Sequence, residues 1–351
     1  MIETPEALGE LLSRAKGASV CAVDTEADSL HRYRESLCLI QFAWGDESTL
    51  IDPLAIDDLG AFYDYLGSRI VWMHGADYDM TMLRRECGVI PEKVYDTQIG
   101  ARLLGIRKFG LGNLVEHYFD IKLSKSSQKA DWGKRPLSPK MEEYAINDVR
   151  YLLPMAEMIV TGLKDKGRYD WFIESCEQAR AKVLDRDESK DEPWRIQGAG
   201  RLDRPGLNLL KHLWYWRDRE AERWDRPSFM VASNKQLLQW VQEISAGDRV
   251  ELPRHFRPDR RRRFQAALKE AAATDASEHP KRQRGVRRRR DRDFDQRVAE
   301  MIKHRNKVGE ELDIDGSVIA SRAMIEAYVA EDDDHEEQWM GWQKSCLGLD
   351  D

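Results

Sequence analysis

The order of apolar and polar positions predicts a mixed domain in the first half of the chain. Short apolar runs bounded by turn residues predict strands at residues 20–26, 37–45, 48–53 and 70–75. Helical patterns follow near residues 79–87, 97–104, 111–118 and, as one long helix, 138–163. Since early strands followed by helices can form a sheet covered by helices, the pattern predicts an α/β layer fold.

The second half of the chain carries only helical patterns. Beyond about residue 171 the strand signal is absent, and the segment opening at Ser233 begins with the capping-box pattern Ser-x-x-Gln. We expect five consecutive parts: an α/β domain at 1–170, a linker at 171–199, a helical domain at 200–278, a basic linker at 279–292 and a second helical domain at 293–351.

Charge is distributed unevenly along the 351 residues, although the net charge is only −7. Residues 254–292 contain 15 Lys and Arg against five acids. Such a block is typical either of a solvated linker or of an attachment point for nucleic acid. The absence of a long apolar run or a signal-peptide pattern, together with five scattered cysteines without zinc spacing, favours a reduced, cytosolic protein away from membranes.

Carboxylates follow the predicted strands in an unusual way. Asp24 and Glu26 lie two residues apart at the end of the first strand, and Asp79 begins the helix after the strand at 70–75. Asp148 and Tyr144 lie four residues apart on the last helix of the domain. Because oxygen ligands suit Mg²⁺ or Mn²⁺, and because like charges so close would repel without a cation, these residues predict divalent metal ions.

Two such ions could support in-line phosphodiester hydrolysis, with Tyr144 orienting the attacking water rather than acting as a base. Each element also has a plain structural explanation. Asp-x-Glu is common in acidic surface loops, Asp79 could be a helix-start charge, and Tyr144 with Asp148 could be an ordinary half-buried pair. It is the combination and order of the four acids that favour a catalytic site.

Three motifs resemble those of the ribonuclease D family of DEDD-type 3′→5′ exonucleases: AVDTEAD, HGADYDMTMLRR and YAINDVRYL. The intervening YDTQIGARLLG and QKADWGKRPL are similar too, so the resemblance covers residues 2–166. It implies a ribonuclease H-like exonuclease domain, a mixed sheet flanked by helices. It also implies metal ligation by Asp24, Glu26, Asp79 and Asp148, and water positioning by Tyr144. Glu143 stands where the related branch has histidine, which favours the tyrosine branch and an active enzyme.

The segment LNLLKHLWYWRDREAERW resembles the helicase-and-ribonuclease-D C-terminal (HRDC) domain, and residues 298–329 look like a second such unit. The resemblance implies two small all-α HRDC-like domains. We expect the tryptophans of the first unit to lie mostly in its core, because they follow helical spacing. These residues are Trp214, Trp216, Trp224 and Trp240.

Several residues near the motifs are candidate substrate contacts: His31, Tyr33, Lys129, Lys134 and Arg135. His74 is expected to be a structural group at a strand end. Two arginine runs are candidates for neutralising phosphates, which gives salt-dependent, sequence-tolerant binding. They are residues 260–263 and 287–290, and for the second run a solvated linker is an equal alternative.

These inferences lead to one expected function. We expect a cytosolic, monomeric 3′→5′ exoribonuclease that uses two Mg²⁺ or Mn²⁺ ions and releases nucleoside 5′-monophosphates. The resemblance implies that it processes the 3′ ends of tRNA precursors and other small structured RNAs. A DNA-directed exonuclease and a catalytically silent RNA-binding scaffold are the alternatives, whereas the missing His and Cys ligands argue against a zinc hydrolase.

Overall fold

A computed structural model describes residues 1–88, 90–186, 192–282, 292–330 and 339–349. The described residues form two compact units. The first unit is built from Met1–Ala27, Leu37–Arg186 and Arg288–Asp351, and the second from Asp28–Ser36 and Asp187–Arg287.

A five-stranded mixed sheet forms the centre of the first unit, with strand order β3-β2-β1-β4-β5. β1 pairs antiparallel with β2, and β2 pairs antiparallel with β3, so the chain reverses twice. It then crosses over to β4, which pairs parallel with β1. β2 is buried along its whole length because helices cover both faces of the sheet. The strands are β1 (Val20–Ala27), β2 (Leu37–Trp44), β3 (Glu47–Ile51), β4 (Ile70–Met73) and β5 (Lys93–Asp96).

Helices pack on both faces of this sheet. One face is covered by α1 (Pro5–Ala15), α2 (Gly60–Gly67) and α3 (Asp77–Cys87). Thr4 caps α1 by accepting a hydrogen bond from the Ala7 amide. The other face packs against α4 (Thr97–Leu103), α5 (Leu111–Phe119), α6 (Pro139–Arg150), α7 (Leu152–Asp165) and α8 (Tyr169–Leu184). None of the described helices is both long and apolar enough to cross a bilayer.

The long helix expected at residues 138–163 is two helices, α6 and α7, separated at Tyr151. Pro154 explains the break. Its ring has no N–H to donate to the carbonyl of Arg150 and would clash with that carbonyl in a continuous helix. The interruption leaves α6, which carries Tyr144 and Asp148, as a separate helix beneath β1, β2 and β3.

The interval 171–199, expected to be a linker, instead begins with most of α8. Phe172 of this helix stacks on Trp72 of β4, with ring centroids 5.6 Å apart, and Cys176 and Val183 are buried. The sequence signal was weak because α8 has only three fully buried residues. The first unit therefore continues to Arg186.

Four helices form most of the second unit: α9 (Arg204–Trp224), α10 (Ser228–Val231), α11 (Asn234–Ser245) and α12 (Pro258–Ala273). Its core contains Trp216, Trp240 and Phe264, whose rings meet edge to face. The predicted core role of the tryptophans is thus confirmed for Trp216 and Trp240. Trp214 is partly buried, whereas 44% of Trp224 is exposed.

The C-terminal helices belong to the first unit: α13 (Arg292–Glu311), α14 (Gly316–Ile319), α15 (Arg322–Val329) and α16 (Gly341–Leu347). Arg168 donates to the carbonyl of Leu312, and Glu174 of α8 accepts a hydrogen bond of 2.6 Å from the Gly341 amide. The expected independent domain at 293–351 therefore shares its hydrophobic core with the exonuclease domain.

The helices α9–α11 and α13–α15 repeat one local design, each within its own unit. Each long helix is followed by an Asp with positive φ, Asp225 (48°) and Asp313 (51°), and then by a four-residue helix. A matching Ala-Ser pair follows, in which Ser233 and Ser321 each cap the next helix. The repeat extends to side chains: Arg217 donates to the carbonyl of Ala232, and Arg305 donates to the carbonyl of Ala320 at the same spacing.

Candidate active site

The end of β1 and the start of α3 bring carboxylates to one edge of the sheet. Asp24 and Glu26 lie near the end of β1, and Asp79 lies in the first turn of α3, directly after β4. Because β1 and β4 are parallel, their carboxyl ends meet at the same edge, the usual place for a site in such a sheet. α6 adds Tyr144 and Asp148 from the neighbouring helix layer.

The structure brings all five predicted catalytic residues around one cavity. Ligand oxygens of Asp24, Glu26 and Asp148 lie within 4.8 Å of one another. Asp79 is held by Thr25, whose hydroxyl donates a 2.5 Å hydrogen bond to Oδ1 of the carboxylate. The hydroxyl of Tyr144 hydrogen-bonds to Asp148, one helical turn away.

Burial and mutual repulsion raise the pKa of every carboxyl group in this cluster. The pKa of Asp24 is raised well above its usual range by burial and then by the charges of its acidic neighbours. Burial and the charges of Asp148 and Asp79 raise the pKa of Glu26 to about 9. Burial raises the pKa values of Asp79 and Asp148 to about 7, although hydrogen bonds from Thr25 and Tyr144 act in the opposite direction. Without a bound cation the cluster therefore retains protons near neutral pH, because full ionisation of neighbouring carboxyl groups is unfavourable.

This donor set fits divalent metal ions. All the donors are carboxylate oxygens, the ligand type of Mg²⁺ and Mn²⁺. Among the described residues no Lys or Arg forms an ion pair with Asp24, Glu26, Asp79 or Asp148. A divalent ion at these carboxylates would therefore not compete with a basic side chain of the described residues.

The cavity has a volume of about 460 Å³, within the range of small-ligand sites. The sequence analysis missed several lining residues, among them Asn113 near the start of α5, and Lys125 and Gln128 in the loop before α6. Gln128 is the first residue of the QKADWGKRPL stretch, and Lys125 lies three residues before it. Only the fold shows that they, rather than the later basic residues of that stretch, line the cavity.

His74 lines the same cavity at the end of β4. Its Nδ1 lies 2.9 Å from the hydroxyl of Thr97, which itself donates to the carbonyl of Met73. Nδ1 is therefore the protonated nitrogen, and burial lowers the pKa of the ring. This hydrogen bond fits the structural role expected at a strand end, but because the ring also lines the cavity, that role stays a prediction.

Arg135 has a structural role that the sequence did not predict. Its five N–H donors are matched by five hydrogen bonds: two to Asp52 (2.5 and 2.7 Å) and one each to the carbonyls of Cys38, Trp132 and Lys134. No donor is left for a phosphate or a base. The side chain anchors the loop before α6 to β2 and the turn after β3, and a substrate contact by Arg135 stays a prediction.

His31 and Tyr33 lie in the segment Asp28–Ser36, which the structure assigns to the second unit. The hydroxyl of Tyr33 donates to Asp218 of α9 at 2.9 Å, and the carbonyl of His31 accepts from Arg226. These contacts tie the loop to α9. A substrate role for either residue stays a prediction.

Lys129 is exposed, and Lys134 is exposed beside Asp131, 3.7 Å away, so substrate contacts by these lysines also stay predictions. The first arginine run is corrected in part. Arg260 and Arg263 bind Glu220, and Arg261 donates to the carbonyls of Phe256 and Pro253, which leaves Arg262 as its exposed member. Residues 287–290 lie outside the described part of the chain.

Comparison with known proteins places these features in a family. Residues 1–164 match a family model described as 3′-5′ exonuclease, and residues 206–244 match the HRDC domain. Ribonuclease D of Xanthomonas oryzae is 33% identical over 67% of this chain, and that of Cronobacter turicensis is 34% identical over 68%. Each match spans 65% of the length of the relative.

Solved structures share the fold along nearly the whole chain. A Bifidobacterium adolescentis protein superposes with a TM-score of 0.82 at 23% identity, covering 99% of this chain and 94% of its own. Escherichia coli RNase D superposes with a TM-score of 0.76 at 24% identity, covering 99% and 96%. With a ribonuclease H-like exonuclease domain, an HRDC domain and these relatives, the chain belongs to the ribonuclease D family.

Proposed function

We propose that this protein is a metal-dependent 3′→5′ exoribonuclease that releases nucleoside 5′-monophosphates. The observation that carries the proposal is the cluster of Asp24, Glu26 and Asp148 oxygens within 4.8 Å, with Asp79 beside it and no compensating cation among the described residues. The exonuclease family match over residues 1–164 supports the direction of cleavage.

The carboxylates of Asp24, Glu26, Asp79 and Asp148 would hold two divalent ions, Mg²⁺ or Mn²⁺. Once bound, these ions would supply activation of water and neutralisation of the charge that develops during phosphodiester hydrolysis. Tyr144 positions the attacking water through its hydroxyl. Since burial raises the pKa of this phenol further above its usual value, it acts as a neutral hydrogen-bonding group and not as a base.

The remaining lining residues suit the end of an RNA strand. Lys125 offers a positive charge for a phosphate, and the amides of Asn113 and Gln128 offer donors and acceptors for sugar or base. Trimming of tRNA precursors and other small structured RNAs is supported by the ribonuclease D relatives. The E. coli RNase D structure is itself described as that of an exoribonuclease involved in structured RNA processing.

We propose that residues 293–351 are a second HRDC-like helical domain. The support is the repeat of α9–α11 in α13–α15, including the arginine that binds the carbonyl before each capping serine. In this proposal the second copy has packed onto the exonuclease domain, whereas residues 206–244 represent the HRDC domain itself.

A monomeric, cytosolic protein is proposed as well. Its support is that none of the five cysteines forms a disulfide, and three of them are buried, as is usual in a reducing compartment. Sedimentation of the purified chain at micromolar concentration tests the monomer, and a mass at twice the chain's 40.8 kDa would contradict it.

The experiment for the activity is a time course on a 5′-labelled tRNA precursor with an extended 3′ end. Wild type and Asp24→Asn are compared with Mg²⁺, with Mn²⁺ and with a chelator. We expect a metal-dependent ladder that shortens from the 3′ end and is absent for Asp24→Asn.

A matched single-stranded DNA of the same sequence is run beside the RNA. Faster shortening of the DNA would contradict the RNA preference and support a DNA-directed exonuclease. Intact RNA in every lane, together with a retarded band in a gel-shift experiment, would contradict the enzyme and support an RNA-binding scaffold.

A further inference from the structure

Gln41 is a buried polar residue that the proposed chemistry leaves unexplained. It lies in the middle of β2 with an exposure of 0%. Among the described residues neither its Nε2 nor its Oε1 has a hydrogen-bond partner. Because a buried amide without partners is costly, such a group in a native protein calls for a specific reason.

The register of the sheet places Gln41 beside the acidic cluster. Gln41 pairs directly with Asp24 of the antiparallel strand β1. Side chains of such paired residues point to the same face of the sheet, with Cβ atoms about 4.5–5.5 Å apart. A glutamine amide can span that separation and reach a carboxylate oxygen.

The other neighbours of Gln41 show which face this is. On its far side Gln41 pairs with Leu50 of β3. Leu50 packs with Leu39 and Trp132 in a small apolar cluster, against which Tyr144 of α6 also packs. The Gln41 amide therefore points toward the helix that carries Tyr144 and Asp148, and apolar groups occupy much of its surroundings.

The chemistry of the amide suits a place beside metal ligands. A glutamine offers two N–H donors and one acceptor and carries no charge. A Lys or Arg here would neutralise the carboxylates and compete with a cation, whereas a neutral donor can hold a carboxylate oxygen and leave its charge available. Residues that orient metal ligands in this way strongly affect metal affinity.

We propose that Gln41 is a positioning residue for Asp24. Its Nε2 donates to one carboxylate oxygen of Asp24 when the other oxygen ligates a divalent ion. The inference rests on the proposed metal-dependent function, and it extends the site by a residue from β2, a strand that carries none of the predicted ligands.

A purely structural role of Gln41 makes a different prediction for metal binding. If Gln41 only fills space, an apolar side chain of similar length stabilises the protein and changes nothing else, since it removes an unpartnered amide from the core. If Gln41 orients Asp24, the same replacement keeps or raises the stability of the metal-free protein but weakens metal binding.

The test measures Mn²⁺ binding by calorimetry and the Mn²⁺-induced rise in melting temperature, on the full chain. The variants are Gln41→Met and Gln41→Leu, so that a folding defect in one does not decide the outcome. Leu39→Met is the matched control, because Leu39 is equally buried on β2 and pairs with Glu26. We expect both Gln41 variants to melt no lower than wild type without metal and to bind Mn²⁺ about tenfold more weakly.

Affinities within twofold of wild type for both Gln41 variants would overturn the inference. Asp24→Asn separates this failure from a failure of the proposed function. If Asp24→Asn loses Mn²⁺ binding while the Gln41 variants keep it, only the role of Gln41 is wrong. If wild type and Asp24→Asn bind Mn²⁺ alike, the metal site itself is wrong and the inference falls with it.

Discussion

Two groups of carboxylates, one in each unit, differ in whether basic side chains balance their negative charge. In the second unit Glu220 is 1% exposed but receives Arg223 at 2.9 Å, Arg260 at 3.1 Å and a paired contact from Arg263. Burial raises the pKa of Glu220, but hydrogen bonds and charges from the arginines outweigh it and lower the pKa below its usual value.

In the first unit Asp24, Glu26, Asp79 and Asp148 are packed together without a cation from the described residues, and their pKa values are all raised. The comparison separates two uses of buried negative charge. Glu220 completes a structural network with positive charge from its own chain. The acidic cluster has no such partner among the described residues, which suits a group of metal ligands.

The largest effect is expected from removing one ligand of the acidic cluster. Asp24→Asn should reduce exonuclease activity by about 10³-fold or more, because the loss of a ligand forfeits several kcal/mol of transition-state stabilisation. The metal-free variant should melt no lower than wild type, since one repelling carboxylate is gone. Initial rates with metal measure the activity, and thermal melting in the presence of a chelator measures the stability of the metal-free protein. A much lower melting temperature of Asp24→Asn would show that Asp24 stabilises the fold.

Breaking the structural network should affect stability and spare chemistry. Glu220→Gln removes the carboxylate that pairs with Arg260 and leaves Arg263 paired with Asp259 alone, so we expect a loss of about 3 kcal/mol in the free energy of unfolding of the second unit. Urea denaturation followed by tryptophan fluorescence reports the change, because Trp216 and Trp240 lie in that unit's core. A short single-stranded RNA should still be degraded at the wild-type rate. Slower RNA degradation by Glu220→Gln with an unchanged free energy of unfolding would contradict a purely structural role of Glu220.

Tyr144→Phe separates ligation from positioning within the acidic cluster. The Tyr144 hydroxyl hydrogen-bonds to Asp148 but is not itself one of the predicted metal ligands. Its removal should therefore change Mn²⁺ affinity little. We expect kcat to fall by about 10²-fold, the order of loss that follows from a misplaced reacting group, with KM nearly constant. If Mn²⁺ affinity falls in parallel with kcat, Tyr144 acts by shaping the metal site.

Thr25→Val tests the hydrogen bond that holds Asp79. Valine keeps the shape and burial of Thr25 but cannot donate to Oδ1, so we expect Mn²⁺ affinity to fall about tenfold, as for other groups that orient metal ligands. Thr25→Ser retains the hydroxyl and should restore most of the affinity. Equal affinities for the two variants would show that the 2.5 Å contact does not position Asp79 for the ion.

The acidic cluster and Glu220 should also make opposite contributions to the pH dependence of folding stability. In the acidic cluster the folded-state pKa values lie above the unfolded ones, so the metal-free protein binds more protons when folded. Its stability should fall as pH rises from 5 through 7, by on the order of 1 kcal/mol per pH unit for each carboxyl group involved.

The pKa of Glu220 is lowered on folding, so its contribution is present above its unfolded pKa and is lost only as pH falls through the folded value. Denaturant unfolding at pH 5, 6 and 7 in the presence of a chelator measures the expected fall in stability of the metal-free protein. With added Mn²⁺ the stability should instead rise with pH, because ligation needs deprotonated carboxylates. Stability that rises with pH in chelator would contradict the raised pKa values.

The local sequence was sufficient for most elements of this protein. Apolar runs ending in turn residues marked four of the five strands but not β5, and Ser233 marked a helix start. The motifs placed Asp24, Glu26, Asp79, Tyr144 and Asp148 in one predicted site. These features depend on neighbouring residues in the chain or on motif spacing, which can be seen in one dimension.

What only the tertiary structure decided depends on contacts between distant segments. The sequence made Arg135 a candidate substrate contact, and the structure shows that Asp52 and three carbonyls bind all of its donors. The sequence made Arg260 and Arg263 candidates for neutralising phosphates, and the structure shows that both bind Glu220. Gln41 looked like one polar residue in an apolar strand until strand register placed it opposite Asp24. The identity of a side chain specifies which bonds it can make, but packing decides which partners are within reach.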